Sequence, residues 1–148
     1  MISVRYAVLA IVYLSVTFAC ADTKEAEKRL RYWLQQPDER GGVFSQGKLD
    51  GVDYRKLLQG AVAYDRASLR DLFRYTANGK LMGEGADTNC EILHHLLEIW
   101  GDSRFATVLS QEPARVRVAV IAAVDYDYPH WRPTAYPKTY RLATHEKF

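Results

Sequence analysis

Two pairs of side chains in the middle of the chain have residue types and a spacing that chemistry could use. Cys90 and His94 are four residues apart, and so are Glu91 and His95. Residues four apart lie on one face of a helix, and thiolate, imidazole and carboxylate groups are the usual ligands of zinc. Cys90 beside His94 could also form a thiol–imidazole nucleophile pair. Cys90, His94 and His95 are therefore the candidate metal ligands, or the centre of a thiol-dependent enzyme.

Both kinds of chemistry need more groups than this segment supplies. A zinc site takes a third and usually a fourth ligand, and the other two histidines, His130 and His145, lie far along the chain. A nucleophilic thiol needs a base that a third group orients. The alternative is that Cys90 and His94 lie at the edge of a buried helix face and that His95 faces solvent. On this alternative we predict no catalytic residue and no cofactor.

The C-terminal segment offers a second candidate site, made of aromatic and basic side chains. Pro129, Pro133 and Pro137 stand at every fourth position, among several tyrosines. Because proline lacks a backbone N–H and disfavours helix before it, we predict an extended or turn-rich tail over residues 127–148. Its side chains suit a carbohydrate, a peptide or an anionic headgroup, unless they fold back over the core. The candidate binding residues are Trp131, Arg132, Tyr136 and Tyr140.

The first residues have the layout of a targeting segment. Arg5 precedes an apolar run over residues 6–18, and small residues follow it. Residues 1–21 resemble a bacterial secretory signal peptide, which implies cleavage and a periplasmic or secreted protein. Residues 16–20 also resemble a lipobox, which implies lipidation of Cys20 and a membrane-anchored lipoprotein. A retained anchor helix is the third alternative.

Composition restricts the class of the remaining chain. The net charge is +2 over 148 residues, which gives no reason to expect nucleic-acid binding. Removal of residues 1–21 leaves Cys90 as the one cysteine, so an exported domain would have to rely on its core instead of an internal disulfide. The length suits one domain. Residues 79–86 are rich in glycine but lack the Gly-Lys-Ser/Thr ending of a phosphate-binding loop.

Amphipathic helices are predicted for most of the chain before the tail. Apolar residues recur at helical spacing over residues 23–36, from near Asp50, and after Asp65, which suits a helix cap. A capping box starting at Thr88 predicts the beginning of a fourth helix. Between the first two helices we predict a loop, because glycines stand at positions 41, 42 and 47.

Three signals divide the region that follows the fourth helix. Gly101 is expected to end that helix, and Asp102 to cap a short fifth one. Pro113 is expected in the first turn of a sixth helix. Residues 114–124 fit both the alternation of a strand and the spacing of a helix, and their alanine content favours the helix.

One stretch resembles a known repeat family. Residues 111–124 have a proline at Pro113, the pair Val116–Arg117 and the small pair Ala122–Ala123, and they resemble the second helix of a HEAT-type repeat. The first helix of the pair would be residues 92–109, so the resemblance covers one repeat over residues 92–126. Such repeats stack helical hairpins into protein-binding surfaces, so the resemblance implies protein binding and no chemistry.

The predicted fold is all-α: a small bundle or short stack of helical hairpins with an irregular proline- and tyrosine-rich tail. Its parts are a signal peptide (1–21), a helical domain (22–126) and the tail (127–148). We predict a non-catalytic protein-interaction or structural domain of the cell envelope, whose partner is another envelope protein. Membrane contact is expected only if Cys20 is lipidated or the signal is retained. The alternatives are the metal- or thiol-dependent enzyme and a ligand binder that uses the tail.

Overall fold

The chain folds into α-helices around one apolar core. A computed structural model describes residues 23–39, 41–126 and 132–144, without the side chains of residues 132, 133 and 144. Every regular element in these ranges is an α-helix, which confirms the predicted all-α class. The helices are α1 (residues 23–35), α2 (Val43–Leu49), α3 (Tyr54–Val62), α4 (Arg66–Asn78), α5 (Glu84–Leu109), α6 (Ala114–Asp125), α7 (Arg132–Ala135) and α8 (Pro137–Thr144).

The predicted signal peptide, with Cys20, lies outside the described residues. So do Pro129, His130, Trp131 and His145. Among the helices that are described, none combines the length and the apolar character needed to cross a bilayer.

Aspartate side chains begin two of the helices. Asp65 accepts hydrogen bonds from the backbone N–H groups of Ala67 (3.3 Å) and Ser68 (3.0 Å), which confirms its predicted role as the cap of α4. Asp53 caps α3 by accepting from the N–H of Lys56 at 3.0 Å. The third helix thus begins a few residues later than the position near Asp50 that its apolar spacing predicts.

The predicted loop is confirmed at Gly41 and Gly42 and is wrong from Val43 on, because Val43–Leu49 forms α2. Gly47 lies inside this helix and is buried. A Cβ atom there would lie 3.0 Å from the Cβ of Tyr54 and 3.0 Å from the carbonyl oxygen of Val52. Gly47 therefore marks a close approach of α2 to the start of α3, and not a loop.

The capping box at Thr88 is also wrong as a helix start, because α5 begins one turn earlier, at Glu84. The reason lies in α2, which fixes the preceding loop. The side-chain amide of Gln46 accepts from the N–H of Met82 at 2.9 Å and donates to its carbonyl oxygen at 2.9 Å. Thr88 is buried within the helix instead of standing at its end.

Gly101 divides α5 into two halves, as its sequence predicts. Its backbone angles are φ 70° and ψ 154°, in a region that favours glycine, while residues on both sides are helical. The next residue, Asp102, does not use its carboxylate to start the second half. It accepts from the N–H of Lys138 at 2.9 Å and from that of Thr139 at 2.8 Å, and so caps α8 from a distant part of the chain.

The prediction that the C-terminal tail has no helix is wrong for the described part of it. Residues Pro137–Thr144 form α8, and Arg132–Ala135 form the short α7. Pro133 and Pro137 stand in the first turns of these helices, where the missing N–H would have no partner within the helix. Tail prolines therefore mark helix starts instead of excluding helices.

Helix packing follows the order of the chain. α3 packs against α4, the helix α5 packs against α6, and α7 contacts α8. α6 packs against both α4 and α8. The helical assignment of residues 114–124 is thereby confirmed, with Val116, Val120, Ile121 and Val124 buried. The other large side chains at the centre are Leu30, Tyr54, Leu58, Leu69, Leu72, Phe73, Ile92, Leu93, Leu96, Leu97, Phe105 and Leu109.

Candidate functional site

The histidine cluster on the first half of α5 is organised around one carboxylate. The Nδ1 atom of His95 lies 2.7 Å from Oε2 of Glu98, and the Nε2 atom of His94 lies 3.5 Å from Oε1 of the same residue. Glu91 is 3.7 Å from the Nε2 atom of His95. His94 is buried at 2% exposure, and the side chain of His95 is only 12% exposed, so His95 is not the solvated residue that its position suggests.

The electrostatics of this cluster keep Glu98 ionised. Burial raises the pKa of its carboxyl group. Hydrogen bonds and charge interactions with His94 and His95 lower that pKa by more than burial raises it, so the net pKa is about 2. An ionised carboxylate between two imidazoles holds both rings in place. It is a partner for the histidines within the same helix.

Cys90 lies on the first half of α5 with these histidines, as their spacing indicates. Its side chain is partly buried, and it forms no disulfide in the described residues. Nowhere in residues 23–39, 41–126 and 132–144 do three or more histidine, cysteine, aspartate or glutamate side chains stand together as a metal site would require. The group that the structure adds to His94 and His95 is Glu98, whose carboxylate lies near both rings.

The two described tyrosines of the tail site pack against the core. Tyr136 and Tyr140 are half-buried and lie with Leu97, Ile121 and Val124 around a cavity of about 10 Å³. This volume is no larger than one water molecule needs. The remaining candidates of that site are outside the description: Trp131 entirely, and Arg132 for its side chain. The described rings thus take the position of the core-covering alternative.

A much larger cavity is lined by other residues, none of which the sequence predicts as a functional residue. It has a volume of about 960 Å³ and runs between the loop joining α2 to α3 and one face of α4. We call it the α4 groove. Its lining consists of Leu49, Asp50, Gly51, Val52, Asp53, Lys56, Leu57, Ala67, Ser68, Asp71, Arg74, Tyr75, Asn78, Gly79 and Lys80.

One end of the α4 groove is fixed by Asp50. Its carboxylate accepts from the hydroxyl of Tyr75 at 3.0 Å and from the backbone N–H of Lys80 at 3.1 Å. These hydrogen bonds, first that of Lys80 and then that of Tyr75, together with the charge of Lys80, lower the pKa of Asp50 below its ordinary value. Burial and the neighbouring Asp50 raise the pKa of Tyr75, so the phenol stays a neutral donor. The loop from α2 is thereby tied to the end of α4.

The α4 wall is fixed by a buried carboxylate that follows α5. Glu112 has a fully buried side chain and accepts from Nε of Arg70 at 2.6 Å and from Nε of Arg74 at 2.9 Å. Burial raises the pKa of Glu112, but the two guanidinium groups lower it more, and the net change is downward. Arg74 also reaches Asp71 at 3.4 Å. The guanidinium group of Arg74 is thus held in the groove wall.

The rim of the α4 groove is both apolar and cationic. Leu49, at the end of α2, is 87% exposed, although it is a large apolar residue. Lys56 and Lys80 line the groove and are exposed, and no ion pair within 4.0 Å holds either ammonium group in the described part of the chain. A sequence signal for this site is weak, because exposed lysines and a single leucine are ordinary surface residues.

The function of this chain has to be inferred from its own geometry. No protein-family model matches it, and neither a curated protein nor a solved structure does. The histidine cluster and the α4 groove are the two features that could carry an activity. In the described part of the chain, the α4 groove is a cavity of about 960 Å³ whose lining includes exposed side chains, among them Leu49, Lys56 and Lys80.

Proposed function

We propose that this chain is an exported, non-catalytic protein-interaction domain that binds its partner in the α4 groove. The observation that carries this proposal is the groove itself, with a volume of about 960 Å³ and a rim that includes the exposed Leu49. The lining combines apolar side chains such as Leu57 with charged ones such as Lys56, so that it could contact both kinds of group on a partner. An exposed apolar residue at such a rim would be buried by the partner.

The order of the helices supports an interaction role. Three helical pairs follow one another, α3 with α4, α5 with α6, and α7 with α8, and α6 contacts the second helix of each neighbouring pair. This arrangement suits the proposal of a short HEAT-like stack, in which each hairpin contacts its neighbours. Stacks of this kind bind proteins along the surfaces that their helices expose.

The position of the chemically capable residues also favours binding over catalysis. Cys90, His94 and His95 are not among the residues that line the α4 groove. His94 and His95 are instead engaged with Glu98 on their own helix. An enzyme centred on this cluster would need a cleft at which the three side chains converge on a substrate.

Export is the second part of the proposal, and it rests on the resemblance of residues 1–21 to a signal peptide. Mass spectrometry of the protein purified from its native cells tests it directly. A mature chain that starts at Asp22 would support a secreted or periplasmic protein, and one that starts at a lipidated Cys20 would support a tethered lipoprotein. An intact Met1 on the purified protein would contradict cleavage.

Site-specific photocrosslinking tests the interaction role. A photoreactive amino acid replaces Leu49 in the full chain, and the matched control carries it at Tyr32, which is 52% exposed on α1. In native cells we expect a discrete crosslinked protein from position 49 and none from position 32. The same protein should fail to crosslink when Leu57 in the groove is changed to Glu. Identical crosslinks from both positions, or none from position 49, would contradict the proposal.

A further inference from the structure

We infer that the segment bound in the α4 groove is acidic: a short stretch of a partner protein whose carboxylates flank an apolar side chain. This inference rests on the proposed function, because it names the chemistry of the partner at the same site. It is drawn from the way in which charges are distributed over the two walls of the groove.

The acidic side chains of the groove are already satisfied by donors within the domain. Asp50 accepts from the hydroxyl of Tyr75 and the N–H of Lys80. Asp53 accepts from the N–H of Lys56 as the cap of α3, and Asp71 contacts the guanidinium group of Arg74. Each of these carboxylates thus already has at least one donor within the domain.

The two lysines of the groove, unlike Arg74, are in the opposite situation. Lys56 comes from the first turns of α3 and Lys80 from the loop after α4, so the two ammonium groups belong to different walls. In the described residues neither forms an ion pair, although the charge of Lys80 contributes to the lowered pKa of Asp50. A neutral segment that covered the groove would remove water from both cations without replacing it. A carboxylate near each lysine avoids that cost.

The apolar side chains in the lining of the same groove favour an apolar side chain on the partner. Val52 and Leu57 are partly buried and pack against the core from the groove side, and Leu49 stands exposed at the rim. An apolar residue placed between two carboxylates would contact these three side chains while its neighbours met Lys56 and Lys80. Charge thus selects the partner, and the apolar contact adds to its affinity.

Fluorescence anisotropy with synthetic peptides tests this inference on the purified domain. The probe is a labelled peptide of about eight residues, which spans about 25 Å when extended, with glutamates on both sides of one leucine. Two control peptides carry glutamine or lysine in place of each glutamate. We expect the glutamate peptide to bind about tenfold more tightly than the glutamine peptide, and high salt to weaken it. Equal binding of the three peptides, or no binding of the glutamate peptide, would overturn the inference.

Charge variants locate the binding in the groove. The double variant Lys56→Glu/Lys80→Glu should lose about tenfold in affinity for the glutamate peptide, and Lys56→Gln/Lys80→Gln should lose less. The matched control, Lys24→Glu/Lys28→Glu on α1, makes the same change in net charge and should bind as the unchanged protein does. Affinity that survives in both groove variants would overturn the inference.

The two failures can be told apart. If Leu49 crosslinks a discrete protein in cells and the Lys56→Glu/Lys80→Glu variant still captures it, the proposed function stands and the acidic partner does not. If position 49 yields no crosslink, the proposed function itself fails. Circular dichroism of each variant, with a helical spectrum equal to that of the unchanged protein, shows that a loss of binding does not come from unfolding.

Discussion

Apolar residues of helices line two cavities of this domain, one nearly filled and one open. We call the surface formed by Leu97 of α5 and by Ile121 and Val124 of α6 the α8 face, because residues of α8 cover it. There the rings of Tyr136 and Tyr140 leave a cavity of about 10 Å³. At the α4 groove no element of the described chain fills the space, and the cavity is about 960 Å³. One surface is part of the core, and the other is kept open. The difference suggests that stability depends on the first and binding on the second.

The variant with the largest expected effect removes the side chain that holds the α4 wall of the groove in place. Glu112→Ala removes the buried carboxylate that Arg70 and Arg74 share, and it should lower the free energy of unfolding by about 2 kcal/mol. Urea denaturation measures the loss. As the control, Glu25→Ala removes an exposed carboxylate that pairs with Lys28 and should cost no more than about 0.5 kcal/mol. Equal losses would show that the groove wall does not depend on Glu112.

The next test compares one apolar contact from each surface. Tyr140→Ser removes a half-buried ring from the α8 face and should cost about 1.5 kcal/mol of unfolding free energy. Leu49→Ser removes an exposed side chain from the groove rim and should change stability by less than about 0.5 kcal/mol. Both values come from the same urea titrations. A Leu49→Ser loss as large as that of Tyr140→Ser would mean that the rim is structural.

A smaller effect is expected from the polar attachment of α8. Asp102→Ala removes the acceptor of two backbone N–H groups and should cost about 1 kcal/mol, as the loss of a helix cap does. Asp102→Asn keeps one acceptor oxygen for one of the two N–H groups and should cost less than Asp102→Ala. Hydrogen exchange of the Lys138 and Thr139 amides provides the measurement, because the alanine variant should expose both amides and the asparagine variant only one. Unchanged exchange in Asp102→Ala would remove Asp102 from this role.

The smallest difference between the two surfaces should appear in acid. Glu98 lies beside Tyr136 around a cavity near Gly101, and its pKa of about 2 is below the ordinary value of 4.5. A carboxyl group whose pKa is lowered by folding stabilises the domain above its ordinary pKa, and this stabilisation is lost as the pH falls from about 4.5 towards 2. Glu98→Gln should therefore flatten the decline of stability in this range.

The matched variant in the α4 groove is Asp50→Asn. Asp50 also has a lowered pKa, but its carboxylate is exposed, so solvent screens its interactions. Thermal unfolding followed between pH 2 and pH 6 (roughly the range in which carboxylates titrate) should show a weaker flattening for Asp50→Asn than for Glu98→Gln. The reverse order would show that the groove contributes more to acid sensitivity than the buried cluster does.

The elements that the sequence predicts correctly depend on neighbouring residues. Asp65 accepts from the N–H groups just after it, Gly101 breaks a helix through its own backbone angles, and residues 114–124 combine alanine content with helical spacing. Each signal lies within a few positions of the structure that it specifies, so local propensity is sufficient.

The elements that the sequence does not predict depend on distant contacts. The start of α5 is set by Gln46, which lies on α2, and the start of α8 by Asp102, which lies on α5. The α4 groove escapes a sequence prediction for the same reason, since its walls come from the α2–α3 loop and from α4. Propensity gives way to tertiary contacts at these positions.

The attachment of α8 has a consequence for the order in which the domain folds. The N–H groups of Lys138 and Thr139 find their acceptor on Asp102 only after the chain has turned at Gly101. A short helix gains little from its own propensity, so α8 has no reason to persist before that acceptor is in place. Closing such a long loop is slow compared with forming a helical turn. We therefore expect α8 to be the last of the described helices to form during folding and the first to unfold.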